Sequence, residues 1–144
     1  MKALFLDIDG VLRTDSENAQ HEFNGRCVEA LNKILKETGC EIVLTSDRRL
    51  YMTDSEIDFI FKDNDIIKNP IFKTGYFKAT VQDLEEKRGD EINEFLDQNK
   101  EEITKWCAVD DMDLSPFVKN FVKTKFNIGL QEPEVVNKII NFLK

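Results

Sequence analysis

The chain opens on Ala3-Leu4-Phe5-Leu6, an uninterrupted apolar run of strand length that stops abruptly at Asp7-Ile8-Asp9-Gly10-Val11. A short apolar run without polar alternation is the pattern of a strand buried on both faces, as in a parallel sheet covered by helices. In open sheets of that kind ligands bind just beyond the carboxyl ends of the strands, which is where the two aspartates fall. At positions i and i+2 they lean to the same side, and Gly10 lets the chain turn sharply away. Two carboxylates held together at the lip of a buried strand repel unless something positive sits between them, and a divalent cation is the simplest candidate. The same string is also common in ordinary turns. A calcium loop is excluded, because that loop needs Gly at its sixth position and Glu at its twelfth, where counting from Asp7 gives Leu12 and Asn18.

The abrupt change from apolar to polar recurs along the chain. A polar stretch, Arg13 to Gln20, reads as a loop or short hairpin over the end of the first strand. Asn24 or Gly25 then opens a helix with Val28, Leu31, Ile34 and Leu35 at helical spacing, which Gly39 is placed to terminate. Glu41-Ile42-Val43-Leu44 is a second short strand, ending at Thr45-Ser46-Asp47-Arg48-Arg49. Strand, helix and strand in this order form a right-handed unit with parallel strands, so Thr45 falls at the same sheet edge as Asp7. Thr53-Asp54-Ser55-Glu56 starts a helix with Ile57, Ile60 and Phe61 as its inner stripe. Ile71-Phe72 reads as a short strand, and Lys87-Arg88-Gly89-Asp90 as the lead into a helix carrying Ile92, Phe95 and Leu96. Trp106 to Val109 is a strand that again ends in acids, Asp110-Asp111, with Asp113 close behind as solvated surface. Phe121-Val122-Lys123 is a last short strand, and Pro133 suits the first turn of a final helix with Val136, Ile139, Ile140 and Leu143 facing inward.

Strand–helix alternation repeated four or five times predicts an α/β fold, a three-layer α/β/α Rossmann-like domain around a central parallel sheet. At 144 residues, 41% hydrophobic and 33% charged, the chain reads as one globular domain spanning 1–144 with a core of its own. No apolar run approaches the roughly 20 residues that cross a bilayer, and the first strand is too short for a secretory signal. Cys27, Cys40 and Cys107 are odd in number and widely spaced, as reduced thiols packed in a core are; the expected compartment is cytoplasmic. A single histidine, His21, disfavours zinc centres and Ser-His-Asp triads. The net charge of −8 argues against bulk nucleic-acid binding while leaving room for a local basic rim.

The order Asp-x-Asp-Gly-Val after the first strand, Thr45-Ser46 after the second, a Lys before a helix, and Asp110-Asp111 after a later strand resembles the haloacid dehalogenase-like (HAD) superfamily. The resemblance implies phosphoryl transfer with Asp7 as nucleophile, giving an aspartyl-phosphate, and Asp9 as general acid and base. It implies Mg²⁺ as cofactor, held by Asp7, the main-chain carbonyl of Asp9 and Asp110, with Asp111 binding it through water or orienting Lys87. Thr45 matches the hydroxyl that binds the phosphoryl group, with Ser46 as the alternative. Lys87 matches the cationic position, with Arg88 next to it. Arg48 and Arg49 either reach substrate phosphate or anchor the loop. The intervals where many relatives carry a cap are too short here, so the chain resembles the capless type, whose open sites suit large or exposed substrates.

Ser46-Asp47-Arg48, Arg88-Gly89-Asp90-Glu91-Ile92, Asp110-Asp111-Met112-Asp113, Phe121-Val122-Lys123-Thr124 and Gly129-Leu130 are similar to small HAD domains associated with RNA-repair proteins. The expected activity is therefore a Mg²⁺-dependent phosphomonoester hydrolase. Its partner would be a phosphorylated substrate, a nucleic-acid end or a phosphoprotein, away from membranes. The alternatives are a HAD-fold module that binds or regulates without turnover, and a phosphotransferase.

Overall fold

The computed structural model describes residues 1–14 and 22–144; most of the polar stretch after Arg13, and His21, lie outside them. Five strands form one all-parallel sheet in the order β3-β2-β1-β4-β5. These are β1 (Lys2–Leu6), β2 (Glu41–Leu44), β3 (Phe72–Lys73), β4 (Lys105–Asp110) and β5 (Phe121–Lys123), and the helices are α1 (Gly25–Thr38), α2 (Asp54–Asp63), α3 (Leu84–Gln98) and α4 (Pro133–Leu143). The predicted three-layer α/β architecture is therefore present. The segments after β1 and β2 add, among the described residues, no second sheet or helical bundle.

Alternation along the strands divides the core in two. Leu4, Leu6, Ile42, Leu44, Cys107 and Val109 point to one face, where Leu31, Ile34 and Leu35 of α1, Ile57 and Phe61 of α2, and Ile139, Ile140 and Leu143 of α4 cover them. Ala3, Phe5, Val43 and Ala108 point to the other, under Ile92, Phe95 and Leu96 of α3. Phe5 meets Phe95 and the half-buried Trp106 edge-on, at ring separations of 5.7 and 6.0 Å. Each fully buried side chain of this size contributes roughly 1.5–3 kcal/mol, so β1, apolar on both faces, is the natural centre of the sheet.

The helix boundaries follow capping chemistry. Asn24 accepts hydrogen bonds from the Arg26 and Cys27 amides at the start of α1, and Thr53 and Glu56 form a reciprocal capping box at the start of α2. Pro133 occupies the first turn of α4. The helix expected after Asp90 instead begins at Leu84, which puts Lys87 and Arg88 inside it. Gly89 looks like a breaker in the sequence, yet it sits mid-helix, where a Cβ would lie 2.6 Å from the Cβ of Phe117. Close packing with the loop after β4, not a turn, requires glycine at this point. That loop, between β4 and β5, carries no helix, a departure from strict strand–helix alternation. None of the described helices is long and apolar enough to cross a membrane.

Register fixes where the chemistry lies. Leu6 is level with Leu44 on one side and Val109 on the other, so Asp7, Thr45 and Asp110 emerge side by side from three adjacent strands. The Asp7 amide still donates to the Val109 carbonyl (3.3 Å), and the Thr45 amide to that of Leu6 (3.0 Å). Chain order reverses between β1 and β4, the switch point where open α/β sheets hold ligands.

Candidate active site

Asp7, Asp110 and Asp111 each offer a carboxylate oxygen, and these oxygens lie within 4.8 Å of one another. Asp7 and Asp110 are buried and Asp111 is partly so. Gly10 makes the gathering possible. It sits at φ +84°, and a Cβ on it would come within 2.6 Å of the Asp111 carboxyl carbon. The glycine of the first motif thus both turns the chain and leaves room for the acid that follows β4.

One guanidinium faces this cluster. Arg88 Nη1 donates to Asp110 Oδ2 at 2.9 Å and lies 3.7 Å from Asp7 Oδ1, while Nη2 reaches Asp47 at 2.9 Å and Nε lies 3.4 Å from Glu91. Burial opposes its charge, but Asp110, Asp7, Asp47 and Glu91 around it outweigh that and hold it protonated. Lys87, the first choice for the cationic position, points elsewhere and meets Asp90 at 3.9 Å. The helix phase explains the exchange: once α3 starts at Leu84, Arg88 falls on the buried stripe with Glu91 and Ile92.

The remaining carboxylate charge is uncomfortable. Burial, then the nearby Asp110, pushes the Asp7 carboxyl well above the usual range, with Arg88 pulling the other way. Burial raises Asp110 to about 6 in spite of Arg88 and the Met112 amide. Three hard oxygen donors facing, among the described residues, a single cationic side chain are the donor set a small divalent cation satisfies. The residues present therefore fit Mg²⁺.

Asp9 lines the same cavity as Asp7, but its side chain is 51% exposed and its carboxylate is held by Arg48, with Nη2 to Oδ1 at 3.2 Å. Arg48 also pairs with Glu22. Ser46 lines the cavity too and caps the short 3-10 turn Asp47–Leu50 by accepting from the Arg48 amide. Thr45 is buried beside it. Asp47, Arg88, Asp111, Met112 and Phe126 complete the lining of this open cavity of about 220 Å³. Asp113 stays outside, exposed and occupied with Ser115.

Arg49 anchors the loop. Its guanidinium donates to the carbonyls of Thr45, Ser46, Thr74 and Gly75 and pairs with Glu91 at 3.0 Å. Glu91 and Asp47 fall inside motif strings quoted from the sequence but with no role of their own there, and both hold the arginines of the site. Glu91 carried a legible signal, since it lies three residues after Arg88 on a helix and on the same stripe as Ile92.

A family model described as "HAD domain in Swiss Army Knife RNA repair proteins" matches residues 3–135. No curated protein and no solved structure matches the chain. The matched region runs from β1 into α4 and contains every residue of the site described above. The chain belongs to this family of small HAD domains.

Proposed function

We propose that the protein is a Mg²⁺-dependent phosphomonoester hydrolase that works through Asp7. Membership of a HAD family supports a phosphohydrolase in general. The observation that carries the finer reading is the cluster of Asp7, Asp110 and Asp111 around a site that Arg88 also faces. Asp7, Asp110 and Asp111, with the Asp9 carbonyl, would hold Mg²⁺. The ion, when bound, supplies positive charge that lets an anionic nucleophile and an anionic phosphate approach.

A carboxylate oxygen of Asp7 attacks phosphorus, the bond from phosphorus to the leaving oxygen breaks, and Asp9 gives that oxygen its proton. Asp9 then takes a proton from water, whose oxygen attacks the aspartyl-phosphate and frees inorganic phosphate and Asp7. To serve in this way Asp9 must first come off Arg48, which in the free protein keeps its carboxylate at the lip of the cavity, and take up a proton from solvent. Arg88 neutralises non-bridging phosphoryl oxygens and keeps Asp7 in line. The hydroxyl of Thr45 or Ser46 donates to the same oxygens, and Ser46 is the one that lines the cavity. Asp9 half exposed at the lip suits an exposed phosphate, such as one at a chain end.

The test is phosphate release from p-nitrophenyl phosphate with Mg²⁺ and with excess chelator, in the wild type and in Asp7→Asn. Release that needs Mg²⁺ and falls at least about a thousandfold in the variant, with the fold intact, supports the reading. Equal turnover in chelator, or full activity in Asp7→Asn, contradicts it.

A further inference from the structure

We infer that a second cleft, beside the phosphate cavity, is a seat for a nucleobase, so that the substrate is a nucleotide-bearing phosphomonoester. The inference rests on the phosphohydrolase reading for its chemistry but not for its geometry. The cleft has a volume of about 290 Å³ and shares three wall residues with the phosphate cavity: Asp47, Arg88 and Met112. Its other walls include Tyr51, Tyr76, Phe77 and Leu84, with Lys87 among them.

Two observations favour a planar ring as occupant. Tyr51 and Tyr76 are 73% and 58% exposed, far more than rings that serve a core, and large apolar groups left in water beside a catalytic cavity mark a binding surface. Aromatic faces stack bases whatever their sequence. The walls are also fixed. The Phe77 amide donates to Glu91 Oε2 at 3.0 Å, and Arg49 joins the 3-10 turn that leads into Tyr51 to the Thr74 and Gly75 carbonyls just before Tyr76. Glu91 in turn meets both Arg49 and Arg88, so the aromatic walls are tied to the phosphate cavity by one buried ionic chain. A ligand with a phosphate beside Asp7 and a ring joined to it through a short linker can occupy both hollows at once. A nucleotide has that shape. In phosphotyrosine the ring is bonded directly to the phosphate oxygen, which leaves no linker to pass the shared wall.

Equilibrium dialysis with Mg²⁺ compares 3′-AMP, 5′-AMP, ribose 5-phosphate and phosphotyrosine, on Asp7→Asn protein with and without Tyr51→Ala or Tyr76→Ala; kcat/KM for the same compounds is measured with Asp7 restored. The expected result is that at least one AMP binds about tenfold or more tightly than ribose phosphate. Either tyrosine variant should erase that preference while leaving ribose phosphate binding unchanged, and the loss in kcat/KM should fall on KM. Equal binding of AMP and ribose phosphate, no binding of any compound, a preference for phosphotyrosine, or a preference that survives both variants overturns the inference. Nucleotide preference without turnover contradicts the hydrolase reading and leaves the base seat standing. Turnover without nucleotide preference does the reverse.

Discussion

Arg88 Nη1 lies 2.9 Å from Asp110 Oδ2, a contact between the second turn of α3 and the last residue of β4 that is buried on both sides. It joins a helix on one face of the sheet to the strand end that carries the acids, and it brings the guanidinium to within 3.7 Å of Asp7. Removing one partner of a buried pair leaves an uncompensated charge, which typically costs about 3–5 kcal/mol. Arg88→Ala is therefore expected to lower the unfolding free energy from urea titration by that much and to abolish phosphate release, and Arg88→Lys to recover part of the stability but not the fork that reaches Asp110 and Asp47 together. Lys87→Ala, which loses only a partly exposed pair with Asp90, should stay within about 1 kcal/mol of wild type in the same unfolding experiment. Equal destabilisation by the two alanine variants contradicts this assignment.

The pH dependence of stability follows from the raised carboxyls. Asp7 and Asp110 are both held above the ordinary carboxylate range, Asp110 at about 6. A group whose folded pKa exceeds its unfolded value contributes stability that is complete at low pH and is lost as pH rises through the folded pKa. Metal-free protein should thus lose this contribution between about pH 4 and about pH 7. Asp7→Asn should flatten that slope, and Mg²⁺ should raise the melting temperature more at about pH 7.5 than at about pH 5. Thermal melts of wild type and Asp7→Asn in chelator and in Mg²⁺ at the two pH values check this. A Mg²⁺ shift of equal size at both runs against it.

Gly10→Ala tests the close approach of Asp111. The substitution places a Cβ 2.6 Å from the Asp111 carboxyl carbon at a φ of +84°, so strain of roughly 1–3 kcal/mol is expected. Displacing Asp111 should also weaken Mg²⁺ binding by about tenfold or more in calorimetric titration. Unchanged affinity would mean that Asp111 plays no part in holding the ion.

Thr74 Oγ1 is buried with no hydrogen-bond partner among the described residues. Thr74→Val keeps the shape and removes an unsatisfied hydroxyl, so the variant should match wild type or gain up to about 1 kcal/mol in urea unfolding. A loss of more than about 1 kcal/mol would show that the hydroxyl is satisfied in solution.

Much of this was legible in the sequence because it depends on local rules. The apolar run before Asp7, the Asn24 and Thr53 caps, and Pro133 at the start of α4 each follow from capping preference or strand burial, and the structure places all of them as expected. Parallel pairing then brought Asp7, Thr45 and Asp110 to one edge without further information. What was not legible depends on contacts between distant segments. A glycine stands inside this helix at position 89 because Phe117, far along the chain, leaves no room for a side chain. That one misplaced boundary, at Leu84, changed the helix phase and exchanged Lys87 for Arg88. Likewise the choice between phosphate contact and loop anchor for Arg49 is decided by four carbonyls and Glu91, partners that no spacing rule lists.

The most direct measurement is acid quenching of the protein during turnover of a phosphomonoester with Mg²⁺, followed by mass spectrometry of the peptide that contains Asp7. A phosphoryl group on Asp7, absent in chelator and absent from Asp7→Asn, is the predicted result. Phosphate release with no phosphoryl group on Asp7 at any quench time, or with the group carried by another residue, contradicts the account.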